Sequence, residues 1–193
     1  MSEVRRVVNS VFNSCSYVVG DDERSWLIDC GDVDSILPLI KGRLCGVLLT
    51  HAHFDHIYGL NQLLSIFPHA RVYTNAAGRE ALLSDKLNFS RYYGDPFTLL
   101  YPENVDIVAD GQMLPLYGDT TASAVETPGH SPSCVTWIIG ESVFTGDSHI
   151  PGVKTVTNIP HSDKDLAHQS EARILQLAEH RVVYPGHAAP TEL

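Results

Sequence analysis

Cysteine is scarce and unpatterned in this chain. Four occur among 193 residues, at Cys15, Cys30, Cys45 and Cys134, with no C-x-x-C spacing. That excludes a disulfide-dense secreted scaffold and a cysteine-ligated zinc finger. Each cysteine lies in an apolar, strand-like context, so buried, reduced thiols and a cytoplasmic location are expected. No apolar run reaches the roughly 18 residues of a membrane span, and Met1–Asn9 is polar and charged, without the apolar centre of a signal peptide. Positive charge is thin: 13 Lys and Arg stand against 23 Asp and Glu, for a formal net charge of −10. Nucleic-acid partners call for a basic stripe, so none is expected. No G-x-S-x-G elbow is present, which argues against a serine hydrolase. Low-complexity runs, Pro/Ser-rich linkers and fixed-period repeats are also missing. An apolar content of 44% and a charged content of 19% suit an ordinary globular protein. Residues 1–193 are expected to form a single domain.

Histidine is what the chain does have: ten in all. Three of them fall with an aspartate in His51-Ala52-His53-Phe54-Asp55-His56. This stretch directly follows Gly46-Val47-Leu48-Leu49-Thr50, an apolar run that reads as a buried strand. A strand ending in imidazoles and a carboxylate presents N and O ligands at the carboxyl edge of a sheet, where open α/β sheets place their chemistry. His and Asp suit zinc and similar cations. The pattern of a short strand running into a Gly-containing turn with one ligand then recurs three times. Thr127-Pro128-Gly129-His130, Gly146-Asp147 and Pro185-Gly186-His187 each end such a strand. Glycine lets the backbone turn sharply and bring the next side chain toward a common centre. Any one of these motifs is weak; all of them in this order are strong.

A coarse reading places strands at Val4–Val8, Cys15–Val19, Trp26–Asp29, Val47–Thr50, Arg71–Thr74, Gln112–Leu116, Thr121–Glu126, Cys134–Ile139, Ser142–Thr145 and Arg181–Tyr184. Helices are expected over Val33–Lys41, Gly59–Ile66, Ala76–Ser84 and Asp165–Glu179. Ser162 or Asp163 is available to cap the last of these. The segment Asp85–Tyr101 reads as irregular and aromatic.

The set H-x-H-x-D-H, T-P-G-H, G-D and G-H resembles the metallo-β-lactamase-fold hydrolases, most closely the compact glyoxalase II-like branch. Ser14–Val19 and Leu27–Gly31 resemble that family's opening strands. The resemblance implies an α/β fold, a four-layer αββα sandwich, and a two-metal site. By position, His51, His53 and His130 would hold one metal, Asp55, His56 and His187 the second, and Asp147 would bridge them. Residues two apart at the end of an extended strand point the same way, consistent with His51 and His53 sharing an ion. Seven ligands are too many for one tetrahedral zinc. The implied cofactors are two divalent ions, zinc first, with Fe or Mn also suited to His/Asp sites.

The activity so implied is hydrolysis of a small thioester, ester or lactone, with a metal-activated water as nucleophile and Asp55 orienting it. An alternative in the same superfamily is a mononuclear iron persulfide dioxygenase. The expected partner is a small-molecule substrate. Asp85–Gly94 resembles a segment near the active-site mouth of compact bacterial relatives, so Tyr92 and Tyr93 are candidates to line a substrate groove and Arg91 to meet a substrate carboxylate. Lys154, seven residues after Asp147, is a candidate to hold a thiol carrier's carboxylate. Relatives often have Gly where Ser133 stands, a change expected to alter packing and not ligation. Full-length glyoxalase II enzymes continue past the position of His187 into a helical domain that supplies much of their glutathione site.

Overall fold

The computed structural model describes residues 3–188. Among the described residues, eleven strands form two sheets. The first half gives β1 (Arg5–Val8), β2 (Cys15–Gly20), β3 (Arg24–Ile28), α1 (Val33–Ile36), β4 (Arg43–Leu48), α2 (Phe54–Ile57), α3 (Leu60–Ile66), β5 (Arg71–Thr74), α4 (Ala76–Leu82) and β6 (Val105–Ile107). The second gives β7 (Met113–Tyr117), β8 (Thr120–Glu126), β9 (Val135–Ile139), β10 (Ser142–Gly146), α5 (Lys164–Leu177) and β11 (Val182–Pro185). Strands β1 to β6 form one sheet in sequence order; the other runs β11-β10-β9-β8-β7. Two antiparallel hairpin steps open the first sheet, and β3, β4, β5 and β6 then run parallel with helical crossovers between them.

Side-chain alternation explains the layering. In β2, Tyr17 and Val19 face the second sheet while Val18 faces the helices; in β3, Trp26 and Ile28 oppose Leu27 in the same way. The core between the sheets unites Tyr17, Ile28 and Leu48 with Ala124, Trp137 and Phe144. A second core packs Val18, Leu27 and Val47 against Ile36, Leu60 and Leu64 of the helices. Helix α5 closes the far side of the second sheet, burying Ala167, Ser170 and Ile174, with Ser170 Oγ donating to Pro128 O at 2.6 Å. The result is the αββα sandwich.

Several elements differ from the sequence reading. The helix expected over Val33–Lys41 stops at Ile36 and passes into a 3-10 turn at Leu37–Leu39; Pro38 supplies no N–H and crowds the preceding turn. Helix α2 and strand β6 are additional, and both are very short. Helix α5 begins at Lys164, capped by Asp163, whose carboxylate accepts from the N–H groups of Asp165 and Leu166 at 2.9 Å.

The two sheets are tied together where β4 ends. Trp137 Nε1 donates to Leu49 O at 2.9 Å, and Val135 N to Thr50 O at 2.7 Å. Tyr17 Oη donates to Pro185 O at 2.6 Å. These bonds hold the carboxyl ends of β4, β8, β10 and β11 at one edge of the sandwich.

Candidate metal centre

Every histidine and aspartate singled out as a ligand follows one of those four strand ends. His51 and His53 leave β4 in extended conformation, His53 acting as the residue before α2 with ψ near 150°. Asp55 and His56 lie within α2. His130 sits on the turn after β8, Asp147 directly after β10, and His187 two residues after β11. Backbone shape makes the approach possible. Gly146 turns with φ of +53°, and a Cβ at Gly186 would collide with Asp147 Oδ1, so only glycine lets β11 come that close.

Among the described residues three groups of donor atoms result, one of them joining Asp29 to His51 and His56. One atom each from His51, His53 and His130 falls within a common 4.8 Å, and the same holds for Asp55, His56 and His187. His53 Nδ1 is 3.0 Å from His130 Nε2. Asp55 Oδ2 is 3.3 Å from both His56 Nε2 and His187 Nε2. Asp147 stands between the groups: Oδ2 is 3.5 Å from His130 Nε2, 3.9 Å from His51 Nε2 and 3.3 Å from His187 Nε2, while Oδ1 is 3.5 Å from His56 Nε2.

The outer ring atoms explain the inner ones. His56 Nδ1 bonds Asp29 Oδ2 at 2.8 Å, His130 Nδ1 donates to Val156 O at 3.0 Å, and His187 Nδ1 donates to Phe12 O at 2.9 Å. His51 Nδ1 lies 3.2 Å from Thr50 Oγ1. Each of these four rings therefore directs Nε2 inward, the arrangement that fixes the tautomer of a metal-binding imidazole. Meanwhile His51 Nε2 and Asp147 Oδ1 are buried and make no hydrogen bond. Buried polar atoms without partners cost about 1–3 kcal/mol each. Two such atoms, on a ring and a carboxylate facing one space, fit a cation that both would ligate. The donor set of imidazoles and carboxylates is of the type that binds zinc, iron or manganese.

The metallo-beta-lactamase superfamily model matches residues 10–187. The chain belongs to that superfamily. Among curated relatives of the superfamily, it is 27% identical to a probable metallo-hydrolase of Streptococcus pyogenes, over all of this chain and 87% of the relative. It is 30% identical to an atrochrysone carboxyl ACP thioesterase of Aspergillus fumigatus, over 92% of this chain, and 25% identical to a hydroxyacylglutathione hydrolase of Hydrogenovibrio crunogenus, over 86%. Of those last two the chain spans only about half the length, 51% and 54%. Among solved structures, the B3 metallo-beta-lactamase BLEG-1 superposes with a TM-score of 0.87 at 28% identity, covering 97% of this chain and 92% of that one. A protein solved in a di-iron-bound form superposes with a TM-score of 0.80 at 27% identity, covering 96% and 93%.

Electrostatics in this metallo-beta-lactamase-type centre divide the rings. Burial, reinforced by the neighbouring imidazoles, holds His51 well below the usual histidine range and lowers His53 to about 3. Burial alone would lower His56 and His187 as well, but carboxylates outweigh it: Asp55, Asp147 and Asp29 raise His56, and Asp147 and Asp55 raise His187 to about 10. Burial would likewise raise Asp55 and Asp147, yet the facing histidines hold both below the ordinary carboxylate range. Both acids are therefore anionic at neutral pH.

The remaining candidates are not among the clustered donors. Arg91 Nη2 is paired to Asp85 Oδ1 at 2.6 Å. Tyr92 and Tyr93 are exposed; the Tyr93 ring meets Phe12 edge-on at 5.1 Å and stacks over Phe54 at 6.2 Å. Lys154 lines a separate shallow cleft with Lys164, His168 and Glu171. Ser133 does more than fill space: its Oγ accepts from Ala52 N at 3.1 Å and so anchors the stretch between His51 and His53. Two residues escaped the sequence reading of the site. Asp29 orients His56 from beneath; in the sequence it falls at a strand end within Leu27–Gly31, with no role attached to it. Phe89, whose ring centroid lies 4.8 Å from that of His53, lies inside the Asp85–Gly94 segment but is not among the residues singled out there.

Proposed function

We propose that this protein is a binuclear metal-dependent hydrolase of small thioesters, esters or lactones, glyoxalase II-like in its chemistry. One observation carries the reading: two donor triads flank Asp147, whose buried Oδ1, like His51 Nε2, has no hydrogen-bond partner. His51, His53 and His130 would hold one ion, Asp55, His56 and His187 the other, with Asp147 between. Zinc is the first expectation, with iron or manganese the alternatives that His/Asp donors also accept. When bound, such ions supply Lewis acidity, a lowered pKa for water and stabilisation of developing negative charge.

The chain's own residues do the rest. Asp55 is held ionised below the ordinary carboxylate range, too weak a base to keep a proton, and would orient the attacking water by accepting a hydrogen bond from it. Asp147 keeps its negative charge between the two triads and fixes their spacing. His56 and His187, locked from behind by Asp29 and the Phe12 carbonyl, do not swing. No side-chain nucleophile is needed, and the three most buried cysteines lie in the cores. A thiolate leaves with little proton donation, and a ring alkoxide would do so if held by a bound cation, so no separate acid is called for. The relatives named as an ACP thioesterase and a hydroxyacylglutathione hydrolase support the thioester reading. The acidic balance of the chain supports a small-molecule substrate over a nucleic acid, and its thiols support a cytoplasmic location.

The test is metal content on protein purified without added metal, beside a panel of thioesters, lactones and a β-lactam on the same sample. Near two metals per chain with thioester or lactone turnover is expected. Preference for the β-lactam would replace the proposed substrate class. One iron per chain, no hydrolysis, and oxygen uptake with a persulfide would replace the reading with the dioxygenase one.

A further inference from the structure

Beside His53 opens a cleft of about 170 Å³ whose walls are mostly apolar: Ala77 and Ala81 from α4, Leu87 and Phe89 from the following loop, and Pro132 and Pro160. An engineered apolar cavity of about 150 Å³ takes up benzene, so this one has room for a group of about six carbons. Of its polar lining, His53 belongs to the proposed centre and His161 is exposed at the edge. Ser131 and Ser133 bond each other at 2.8 Å, and Ser133 also bonds Ala52 N. The carboxylate at the cleft is Glu80, exposed at the rim, which repels a second carboxylate on the occupant.

The walls are fixed. Asn75 caps α4 by accepting from Gly78 N at 2.8 Å, and its Nδ2 donates to Pro132 O at 3.0 Å, joining two sides of the cleft. The third side is built under strain. Phe89 sits at φ 66° and ψ 0°, the left-handed region that a bulky side chain enters at a cost. Asn88 holds it there: Nδ2 donates to Ala81 O at 3.1 Å and Phe97 O at 3.0 Å, and Oδ1 accepts from Ser90 N at 3.0 Å. The Asn88 carbonyl accepts from Phe54 N at 2.9 Å, binding this loop to α2 and its ligands. What the strained backbone gains is the placement of the Phe89 ring beside His53.

We propose that this cleft is the acyl pocket, taking an apolar alkyl or aryl acyl group of about six carbons, with Phe89 as its specificity-determining wall. The inference rests on the hydrolase reading above, because His53 makes the cleft continuous with the proposed reacting centre. It sets the substrate class apart from short hydroxyacyl groups and from carboxylated acyl groups.

The experiment compares acetyl, butanoyl, hexanoyl, benzoyl and lactoyl thioesters of one uncharged thiol, N-acetylcysteamine, on the metal-loaded protein. A buried methylene is worth about fourfold in transition-state binding, so kcat/KM is expected to climb at least tenfold from acetyl to hexanoyl or benzoyl. Ala77→Phe, which fills the cleft, is expected to collapse the hexanoyl-to-acetyl ratio. Phe89→Gly, which keeps the left-handed backbone and removes the ring, is expected to flatten the series; it carries the test if Ala77→Phe does not fold. A second readout needs no turnover. Hexanamide, uncharged, is titrated into the purified protein and followed by backbone amide shifts at Ala77, Ala81 and Ser133, with saturable shifts expected and their loss in Ala77→Phe. Best turnover of acetyl or lactoyl thioester, with no hexanamide shifts, would overturn the pocket and leave the hydrolase reading standing. Saturable hexanamide binding with no thioester turned over would sustain the pocket and sink the hydrolase reading instead.

Discussion

Asp29 Oδ2 and His56 Nδ1 share a hydrogen bond of 2.8 Å with both side chains sealed from solvent. The other half of the Asp29 carboxylate is also taken. Thr50 N donates to Oδ1 at 2.7 Å and Thr50 Oγ1 to Oδ2 at 2.6 Å. One carboxylate therefore fixes the end of β4 and the inward aim of His56 together. Removing such an outer partner typically weakens metal binding 10–100-fold. Asp29→Asn is expected to lower affinity by that order at the Asp55/His56/His187 group while the His51/His53/His130 group keeps its ion. Metal per chain after dialysis against graded chelator checks it, with circular dichroism to confirm the fold. Two ions held as tightly as in the parent would refute the positioning role of Asp29.

Asp147→Ala removes the carboxylate that reaches both triads, with contacts of 3.3 to 3.9 Å on either side. The expected outcome is loss of at least one ion per chain and a fall of at least a hundredfold in kcat/KM, in the range seen when an electrostatic contributor to the transition state is deleted. Elemental analysis and the hydrolysis assay on the same preparation decide it. Two tightly bound ions with full activity would sink the assignment of Asp147.

The seven ligand candidates were legible because each lies in a contiguous motif at a strand end, and strand ends are where β periodicity breaks into Gly-containing turns. The sandwich was legible for a related reason: most strands alternate or run apolar over four to seven residues. What was hidden depends on tertiary geometry. The partner of His187 Nδ1 is a backbone carbonyl, that of Phe12, to which any residue type would contribute the same atom. Asp29 acts 27 residues away from His56, and no spacing rule links them. The Phe89 wall depends on a φ of 66° that Asn88 imposes through bonds to Ala81 and Phe97, so it reads in sequence as one more aromatic in an irregular loop. Arg91 carried the charge expected of a substrate contact, but Asp85, six residues away, already holds it.

The thiols provide a check on the cores. Cys15, Cys30 and Cys134 are buried, whereas Cys45 is partly open to solvent. Burial, with the Asp29 charge behind it, pushes the Cys30 thiol far up, and burial raises Cys134 to about 12. Thiolate is the reactive form. A chromogenic disulfide reagent at pH 8 is therefore expected to label one cysteine quickly in the folded protein, Cys45, and all four in denaturant. Rapid native labelling of Cys30 or Cys134, located by peptide mapping, would contradict the packing beneath the centre.

Asp32 links acid stability to the proposed centre. Its Oδ2 accepts from Ser10 N at 2.7 Å, and its Oδ1 accepts from Ser10 Oγ at 2.9 Å and from Tyr58 Oη at 2.6 Å. Partial burial would raise this carboxyl, but the three donors outweigh it and hold it below the ordinary range. A carboxyl lowered in the folded state contributes stability above its unfolded pKa of about 4 and loses it as pH falls through the folded value. Hydrogen bonds to a charged group are worth about 1.5–3 kcal/mol, and partial exposure reduces that, so Asp32→Asn is expected to cost about 1 kcal/mol at pH 7. The gap between parent and variant should begin to narrow as pH falls below about 4 and close only below the lowered folded value, where the parent carboxyl is protonated in both states. Denaturant melts at pH 7, 5 and 3 measure it; a gap at pH 3 no smaller than at pH 7 would rule out the charged form as the source. The same substitution reaches further, because Ser10 opens the loop that carries the Phe12 carbonyl to His187. Loosening that loop should weaken the ion held by Asp55, His56 and His187 at pH 7, and chelator titration of the variant should show it as a shift confined to one of two ions. A variant that loses stability yet binds both ions as the parent does would show that the loop is held by its other bonds, such as Asn9 Nδ2 to Ser14 Oγ and Ser16 Oγ at 3.1 Å, without help from Asp32.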